Sequence, residues 1–329
     1  MINLIKNMHS YCRPSGSVTE QKFIERYIET IPNIKKDSFG NYFIRIGTDP
    51  VIFTAHTATV HDKPGFQGVK MIGDNLMLRD QSDKGSCLGA DCAAGVFLIL
   101  KMIEAKKEGL FCLFRAEEIG GLGSDHFVKN YPLLLKDYKF VISLDRKGTN
   151  SVITHQGSRT CSDIFADSLC QELGSNWIKD SSGLFTDSRN FADDAVGECS
   201  NISTGYTLAH SRFETLDVRH LLELLDLLLG LDVSKLISDR KPGEKDYADY
   251  LGWDYSGSKI YNPYGQKSNL FPLDNNEPET YKANSYTDLI SVYPDVAERE
   301  LRSYGLTLSD FQTCIYNQTG ELAAGYIED

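Results

Sequence analysis

No stretch of this 329-residue chain approaches the roughly 20 consecutive apolar residues that a membrane-spanning helix needs. The opening Met1-Ile-Asn-Leu-Ile-Lys6 has neither the longer apolar run nor the small-residue cleavage site of an export signal. Basic residues are outnumbered, 34 Lys and Arg against 46 Asp and Glu, and the formal charge of −12 argues against nucleic acid as the main partner. It gives weak support to a cationic or amine-bearing ligand. Eight cysteines are too few for a disulfide-dense scaffold in a chain this long. With no export signal, they read as reduced, mostly buried thiols of a cytosolic protein. The Gly-x-Ser-x-Gly pattern of one large class of seryl hydrolases is absent. Repeats and low-complexity runs are absent too. What remains, 41% hydrophobic and 24% charged residues, suits a soluble enzyme with one large domain and a smaller appendage.

The first 240 residues alternate apolar strand-like runs with helical stretches. Val18 to Ile31 has the period of an amphipathic helix, with Phe23, Ile24, Tyr27, Ile28 and Ile31 on one side. Asp37-Ser-Phe-Gly40-Asn41 is turn chemistry, after which residues 42–46 alternate like a strand. Residues 51–55, 110–114 and 140–144 are short, nearly continuous apolar runs, as expected of strands covered on both faces. Helices are expected over 93–105 and 221–236. This order predicts a three-layer α/β/α sandwich with a mixed, largely parallel central sheet. Composition changes after Lys241-Pro242-Gly243. Residues 242–329 hold 15 acidic against 6 basic residues and 11 of the 17 tyrosines. The chain therefore reads as a catalytic domain over 1–241 and an acidic, Tyr-rich C-terminal appendage over 242–329.

The polar residues fall at informative places. Ile52-Phe-Thr-Ala55 runs straight into His56, Phe111-Cys-Leu-Phe114 into Arg115-Ala-Glu117-Glu118, and Val141-Ile-Ser-Leu144 into Asp145. In an open α/β sheet, ligands bind beyond the carboxyl ends of the strands, and three such ends each deliver a metal-capable side chain. Asp91 stands just ahead of the helix over 93–105, whose positive end would keep it ionised and able to bridge two cations. His210 follows the strand-like run 201–203. Each alone has a bland reading. A lone His after a strand is usually a satisfied polar residue, a Glu pair usually lies on a solvated face, and an Asp before a helix is usually a cap. Asp145 beside Arg146 and Lys147 could be a surface ion pair. Together, two imidazoles and three carboxylates form a mixed N/O set that suits zinc, with manganese or cobalt as alternatives.

The order and spacing of these segments resemble the zinc-dependent exopeptidases, in the branch of leucyl-type aminopeptidases and related tripeptidases. Asp37-x-x-Gly40-Asn41 is similar to their early turn, and His56-Thr-Ala58-Thr-Val60 to their His-x-Asp-Thr-Val. Leu88-Gly-Ala-Asp91-Cys92-Ala-Ala94-Gly95 is similar to Gly-Ala-Asp-Asp-x-Ala-Gly, and Glu117-Glu-Ile-Gly120 to Glu-Glu-x-Gly. Thr186-Asp-Ser188 and Gly205-Tyr-x-x-Ala-His210-Ser-x-x-Glu214 resemble the closing part of the fold. The likeness runs from about residue 15 to 230. It implies two divalent metal ions bridged by Asp91, one also held by His56 and Asp145, the other by Glu118 and His210. It implies Glu117 as general base. About 65 residues separate Asp145 from His210, which leaves little room for an inserted lid domain and favours the compact aminopeptidase-like form.

Two positions depart from the pattern. Ala58 stands where the family has an Asp that would accept a hydrogen bond from the metal-bound imidazole. Cys92 stands beside Asp91, where no ligand is expected. The alanine admits three explanations: an engineered inactivating change, a protein turned into a binding module, or compensation by His61 and Asp62. The functional expectation is a metal-dependent hydrolase of a peptide or small amide, most simply an aminopeptidase. The alternatives are a deacylase or amidohydrolase on a non-peptide amide, and a non-catalytic binding or assembly protein on an exopeptidase scaffold. His126, His155 and His220 have no companions in the sequence, and Gly120-Gly-Leu-Gly123 reads as a close approach of backbone to the site rather than a phosphate loop.

Overall fold

The computed structural model describes residues 1–82 and 86–244, so all but the first three residues of the acidic C-terminal appendage lie outside the described residues. The central sheet contains β1 (Lys35–Lys36), β2 (Tyr42–Ile46), β3 (Val51–His56), β4 (Gly109–Phe114), β5 (Phe140–Arg146), β6 (Ser151–Ile153), β7 (Ile178–Asp180) and β8 (Glu198–Ser203). Its order is β7-β6-β8-β5-β3-β4-β2-β1. The four strands β8, β5, β3 and β4 run parallel to one another, and antiparallel pairs flank them. This is the mixed, mostly parallel sheet that continuous apolar runs call for, since a parallel sheet needs both faces covered.

Helices α1 (Ile2–Met8), α2 (Val18–Tyr27), α3 (Ala90–Glu104), α4 (Leu122–Asn130), α5 (Asp163–Leu173), α6 (Asp187–Asp194) and α7 (Val218–Gly230) supply the cover. Because successive side chains of a strand point to opposite faces, β3 sends Val51, Phe53 and Ala55 into the core under α3, α5 and α7. Its Ile52 enters the other core, beneath α4 and α6. Strand β4 divides likewise: Phe111 and Leu113 join the first core, Leu110, Cys112 and Phe114 the second. A small antiparallel sheet of Val69–Ile72, Asn75–Leu78, Tyr206–Thr207 and Thr215–Asp217 stands apart from the main one.

Two helices stop earlier than their apolar spacing suggests. The first ends at Tyr27, where Glu29 N already reaches back to Ile24 O; Ile31 precedes Pro32, and a residue before proline is pushed away from helical geometry. The last ends at Gly230, and Asp232 then caps a separate short 3-10 turn, Val233–Lys235. The seven cysteines among the described residues are free thiols. No helix among them is long and apolar enough to cross a membrane.

At the end of α1, His9 is 1% exposed and its Nδ1 donates to Ile5 O at 2.7 Å. Burial, with Arg13 adding its charge, pushes its pKa from 6.5 down to about 4. The folded protein therefore holds His9 neutral where the unfolded chain would protonate it. That stability is complete above pH 6.5 and is lost as pH falls toward 4, about 3 kcal/mol in all. His9→Asn keeps an amide donor for Ile5 O and removes the titration. Denaturant unfolding at several pH values should show a shallower acid loss in the variant; equal slopes would discard the assignment.

Candidate metal centre

The parallel strands end together. His56, last residue of β3, lies opposite Phe114, last residue of β4, and Asp145 sits near the end of β5. Beyond β4 the chain makes a tight turn through Ala116, which has a positive φ of 61°, and the amides of Gly120 and Gly121 both close on Glu117 O at 2.9 Å. That turn presents Glu117 and Glu118 over the strand ends. Asp91 comes from the segment before the first regular turn of α3, with non-helical backbone at Asp91 and Cys92. Gly95 lets α3 come this close, since a Cβ there would fall 2.1 Å from Leu144 O. His210 arrives on the turn between Tyr206–Thr207 and Thr215–Asp217, itself at φ 60°.

All six side chains meet. His56 Nε2 lies 3.0 Å from Asp91 Oδ1, 3.4 Å from Asp145 Oδ1 and 3.9 Å from Glu117 Oε2. His210 Nε2 lies 3.1 Å from Asp91 Oδ2 and 3.6 Å from Glu118 Oε2. The two oxygens of Asp91 thus face different imidazoles. Donor atoms of His56, Glu117 and Glu118, and of Asp91, Glu118 and His210, form groups whose members lie within 4.8 Å of one another.

The supporting contacts fix which oxygens stay free. Asp145 Oδ2 accepts from Thr186 Oγ1 at 2.7 Å, and its backbone is held on both sides by Asn201, at 3.0 Å each. Tyr206 donates to Asp145 O at 3.0 Å. This leaves Asp145 Oδ1, turned toward His56, buried with no hydrogen-bond partner among the described residues, and Glu118 Oε1 is in the same state. Arg146, the neighbour that might have paired with Asp145, bonds Asp180 at 3.0 Å instead. The Asp37 turn has a mechanical role. Asp37 gathers the amides of Phe39, Gly40 and Asn41, and Asn41 reaches across to Gly123 O at 2.9 Å and Arg115 N at 3.1 Å. A Cβ on Gly123 would meet Arg115 O at 2.3 Å, so the glycine permits that contact.

The electrostatics are those of an acidic pocket short of positive charge. Burial pushes Glu117 up to about 10 although the His56 charge opposes it. Burial, then the charge of Asp91, raises Asp145 to about 8 and Glu118 to about 7. Burial alone would lower His56, but Asp145 and its other acidic neighbours carry it well above 6.5. The Asp91 hydrogen bond, outweighing partial burial, raises His210 to about 9. Asp91 goes the other way: burial is outweighed by hydrogen bonds from His210 and His56, and it stays ionised. Neighbouring carboxyls that cannot all ionise, with two buried oxygens left unpartnered and two imidazoles among them, are a donor set that divalent cations would complete. The residues fit such ions.

Several contributors have little signal in the sequence. Asp187 is 1% exposed, and burial pushes its carboxyl up to about 6. Glu20 is fully buried and binds Arg115 Nη2 at 2.8 Å, Thr57 Oγ1 at 2.6 Å and Gly16 N at 2.7 Å, so it ties α2 to the ends of β3 and β4. Only the Ser17-x-x-Glu20 spacing of a helix start betrayed it. His61 does not stand in for the missing carboxylate at position 58. Its Nδ1 faces Thr59 Oγ1 at 2.7 Å, its Nε2 faces Gln67 Oε1 at 3.1 Å, and Asp62 is exposed. His56 Nδ1 donates instead to the backbone carbonyl of Ala58, at 3.0 Å. Cys92 joins His56 and Asp145 in a third group, yet burial pushes its thiol well up and its Sγ donates to Leu144 O at 3.1 Å.

Residues 41–197 match the profile of peptidase family M28, a segment that contains His56, Asp91, Glu117, Glu118 and Asp145 and ends before His210. Over that segment the chain is similar to the metal-dependent exopeptidases. Its fold resembles that of the TET1 peptidase of Pyrococcus horikoshii, 17% identical with a TM-score of 0.52, covering 70% of this chain and 98% of that one. The aminopeptidase PepT of Bacillus cereus is similar at 11% identity and TM-score 0.53, over 71% of this chain and 97% of that one. So is a tripeptidase of Staphylococcus aureus, at 13% and 0.53, with the same two coverages. No curated protein matches the sequence significantly. The family match supports a peptidase-type hydrolase.

Proposed function

We propose that this chain is a metal-dependent hydrolase of peptide bonds, an aminopeptidase-type exopeptidase of the cytoplasm that works with two divalent cations, zinc foremost. The observation that carries this reading is the division of Asp91, one oxygen 3.0 Å from His56 and the other 3.1 Å from His210. On it, His56 and Asp145 would hold one cation, Glu118 and His210 the other, with Asp91 shared between them. When bound, such cations would supply a more acidic water and polarisation of the scissile carbonyl.

The chain's own residues do the rest. Glu117 Oε2, 3.9 Å from His56 Nε2 at the mouth of the strand ends, would take the proton of the attacking water and hand it to the leaving amine. The Ala58 carbonyl holds the Nδ1 proton of His56 and keeps Nε2 turned toward Asp91 and Asp145. Thr186 and Asn201 keep Asp145 from rotating away.

Elemental analysis of the purified full chain, with a panel of free and N-blocked aminoacyl substrates, tests the proposal. Two equivalents of metal and cleavage only next to a free amine support an aminopeptidase. Cleavage of N-blocked amides alone would move the assignment to a deacylase. The same assay should include Ala58→Asp. A carbonyl is a neutral acceptor where relatives use a carboxylate, and such an outer partner is worth about 10–100-fold in metal affinity or activity. Position 58 is fully buried, so a carboxylate there would face His56 away from water. An increase of that order is expected. No activity in either form, with no metal bound, leaves the non-catalytic binding reading.

A further inference from the structure

The cation on the His210 side depends on a turn that little else holds. The His210 side chain is 50% exposed, and its contacts among the described residues are Asp91 and Glu118. Its position follows from the backbone of the 208–214 turn, where both Leu208 and His210 have positive φ, 53° and 60°. Ser211 Oγ closes the turn on Leu208 O at 2.7 Å, and Glu214 N closes it on Ser211 O at 3.1 Å.

The Glu214 side chain then leaves its own turn. It is fully buried and accepts three backbone amides from the segment that presents Asp91: Gly89 N at 2.9 Å, Ala90 N at 3.0 Å and Asp91 N at 3.2 Å. That segment precedes the first regular turn of α3, with non-helical backbone at Asp91 and Cys92. Glu214 supplies the acceptor for its three amides from the far side of the site. A single carboxylate thus fixes the backbone under Asp91 and the turn that carries His210. The His56–Asp145 side has its own anchors in Thr186, Asn201 and Tyr206.

We propose that Glu214 is a positioning residue for the His210 side of the centre, one that holds His210 in register with Asp91 and so sets the affinity of one of the two cation positions. This rests on the two-cation reading above. The test is calorimetric titration of the cation-free full chain with zinc chloride, for wild type, Glu214→Gln and Glu214→Ala, beside hydrogen exchange of the same proteins without zinc. The binding event on the His210 side should weaken about 10-fold in Glu214→Gln and about 100-fold in Glu214→Ala, the range for an outer partner of a metal ligand, and the other, which shares only Asp91, should weaken clearly less. Exchange should rise in peptides covering 88–92 and 205–213 together and stay unchanged over β5 and β8. Should Glu214→Ala not fold, Glu214→Gln keeps the shape and one acceptor oxygen and carries the comparison.

Two undiminished zinc sites in the variants overturn the proposal. So does equal weakening of both sites with exchange rising throughout the domain, which is the mark of a purely structural residue. If the wild type itself takes up no zinc, the two-cation reading fails by that result. The exchange arm then decides alone: a paired rise in the two segments keeps the tie, and a rise in one or neither removes it.

Discussion

Glu117→Gln should lower kcat by about 10²–10⁴-fold, the span attributed to general acid–base catalysis, with metal content unchanged. Glutamine keeps the length and shape of the side chain and cannot accept the water's proton. The neighbouring Glu118, 3.6 Å from His210, still faces the second cation position. Stability separates this from a folding defect. Burial raises Glu117 to about 10 in the cation-free protein, whereas the unfolded chain titrates it near 4.5. A carboxyl with a raised folded pKa contributes most below its unfolded value, and that contribution fades as pH climbs from 4.5 toward 10. At neutral pH the glutamine has no such proton to retain, so the cation-free variant should melt no lower than wild type and higher in alkaline buffer. Turnover of an aminoacyl anilide and thermal melts across pH check both halves. An unchanged kcat would remove Glu117 from the chemistry.

Why the strand ends could be read from the sequence, and their supports could not, is a matter of range. A short, wholly apolar strand that stops at a charged residue announces both its burial and its exit point. For that reason His56, Glu117, Glu118 and Asp145 stood out, and the sheet around them with its helices on both faces. Asp91 and Cys92 interrupt helical geometry where the spacing had already put the helix start at residue 93. The supporting residues carry no such local mark, and Glu214 is marked only by closing a segment that resembles the exopeptidases. Asn201 touches Asp145, Glu20 touches Arg115, and Glu214 touches Gly89, each across a large gap in the chain. A carboxylate buried by tertiary packing looks, in sequence, like one on a solvated surface. The Ala58 departure shows the converse limit. The absent side chain is visible in the sequence, but the carbonyl that takes the His56 proton is present in every residue and becomes an acceptor only through the bend of the backbone.

On the proposed two-cation reading, Asp91→Ala should be the most damaging single change to function, because it would remove an oxygen from both cation positions at once. Zinc content is expected to fall from two equivalents to at most one, and kcat/KM by more than the roughly 10⁴-fold upper bound for losing a general base. Asp91→Asn separates charge from shape. It keeps one acceptor oxygen for one imidazole and turns an amide toward the other, so one weakened cation position should persist. Stability should move opposite to the Glu117 change. The folded pKa of Asp91 is depressed by His210 and His56, so its contribution is present at neutral pH and is lost only as pH falls through the acid range. The cation-free alanine variant should therefore melt lower than wild type at pH 7 and approach it in acid. A site organised around Asp91 requires both signs together, lower melting here and none for Glu117→Gln. If Asp91→Ala retained two tightly held zinc ions, the shared carboxylate would have to lie elsewhere, and the division of labour between the two histidines would go with it.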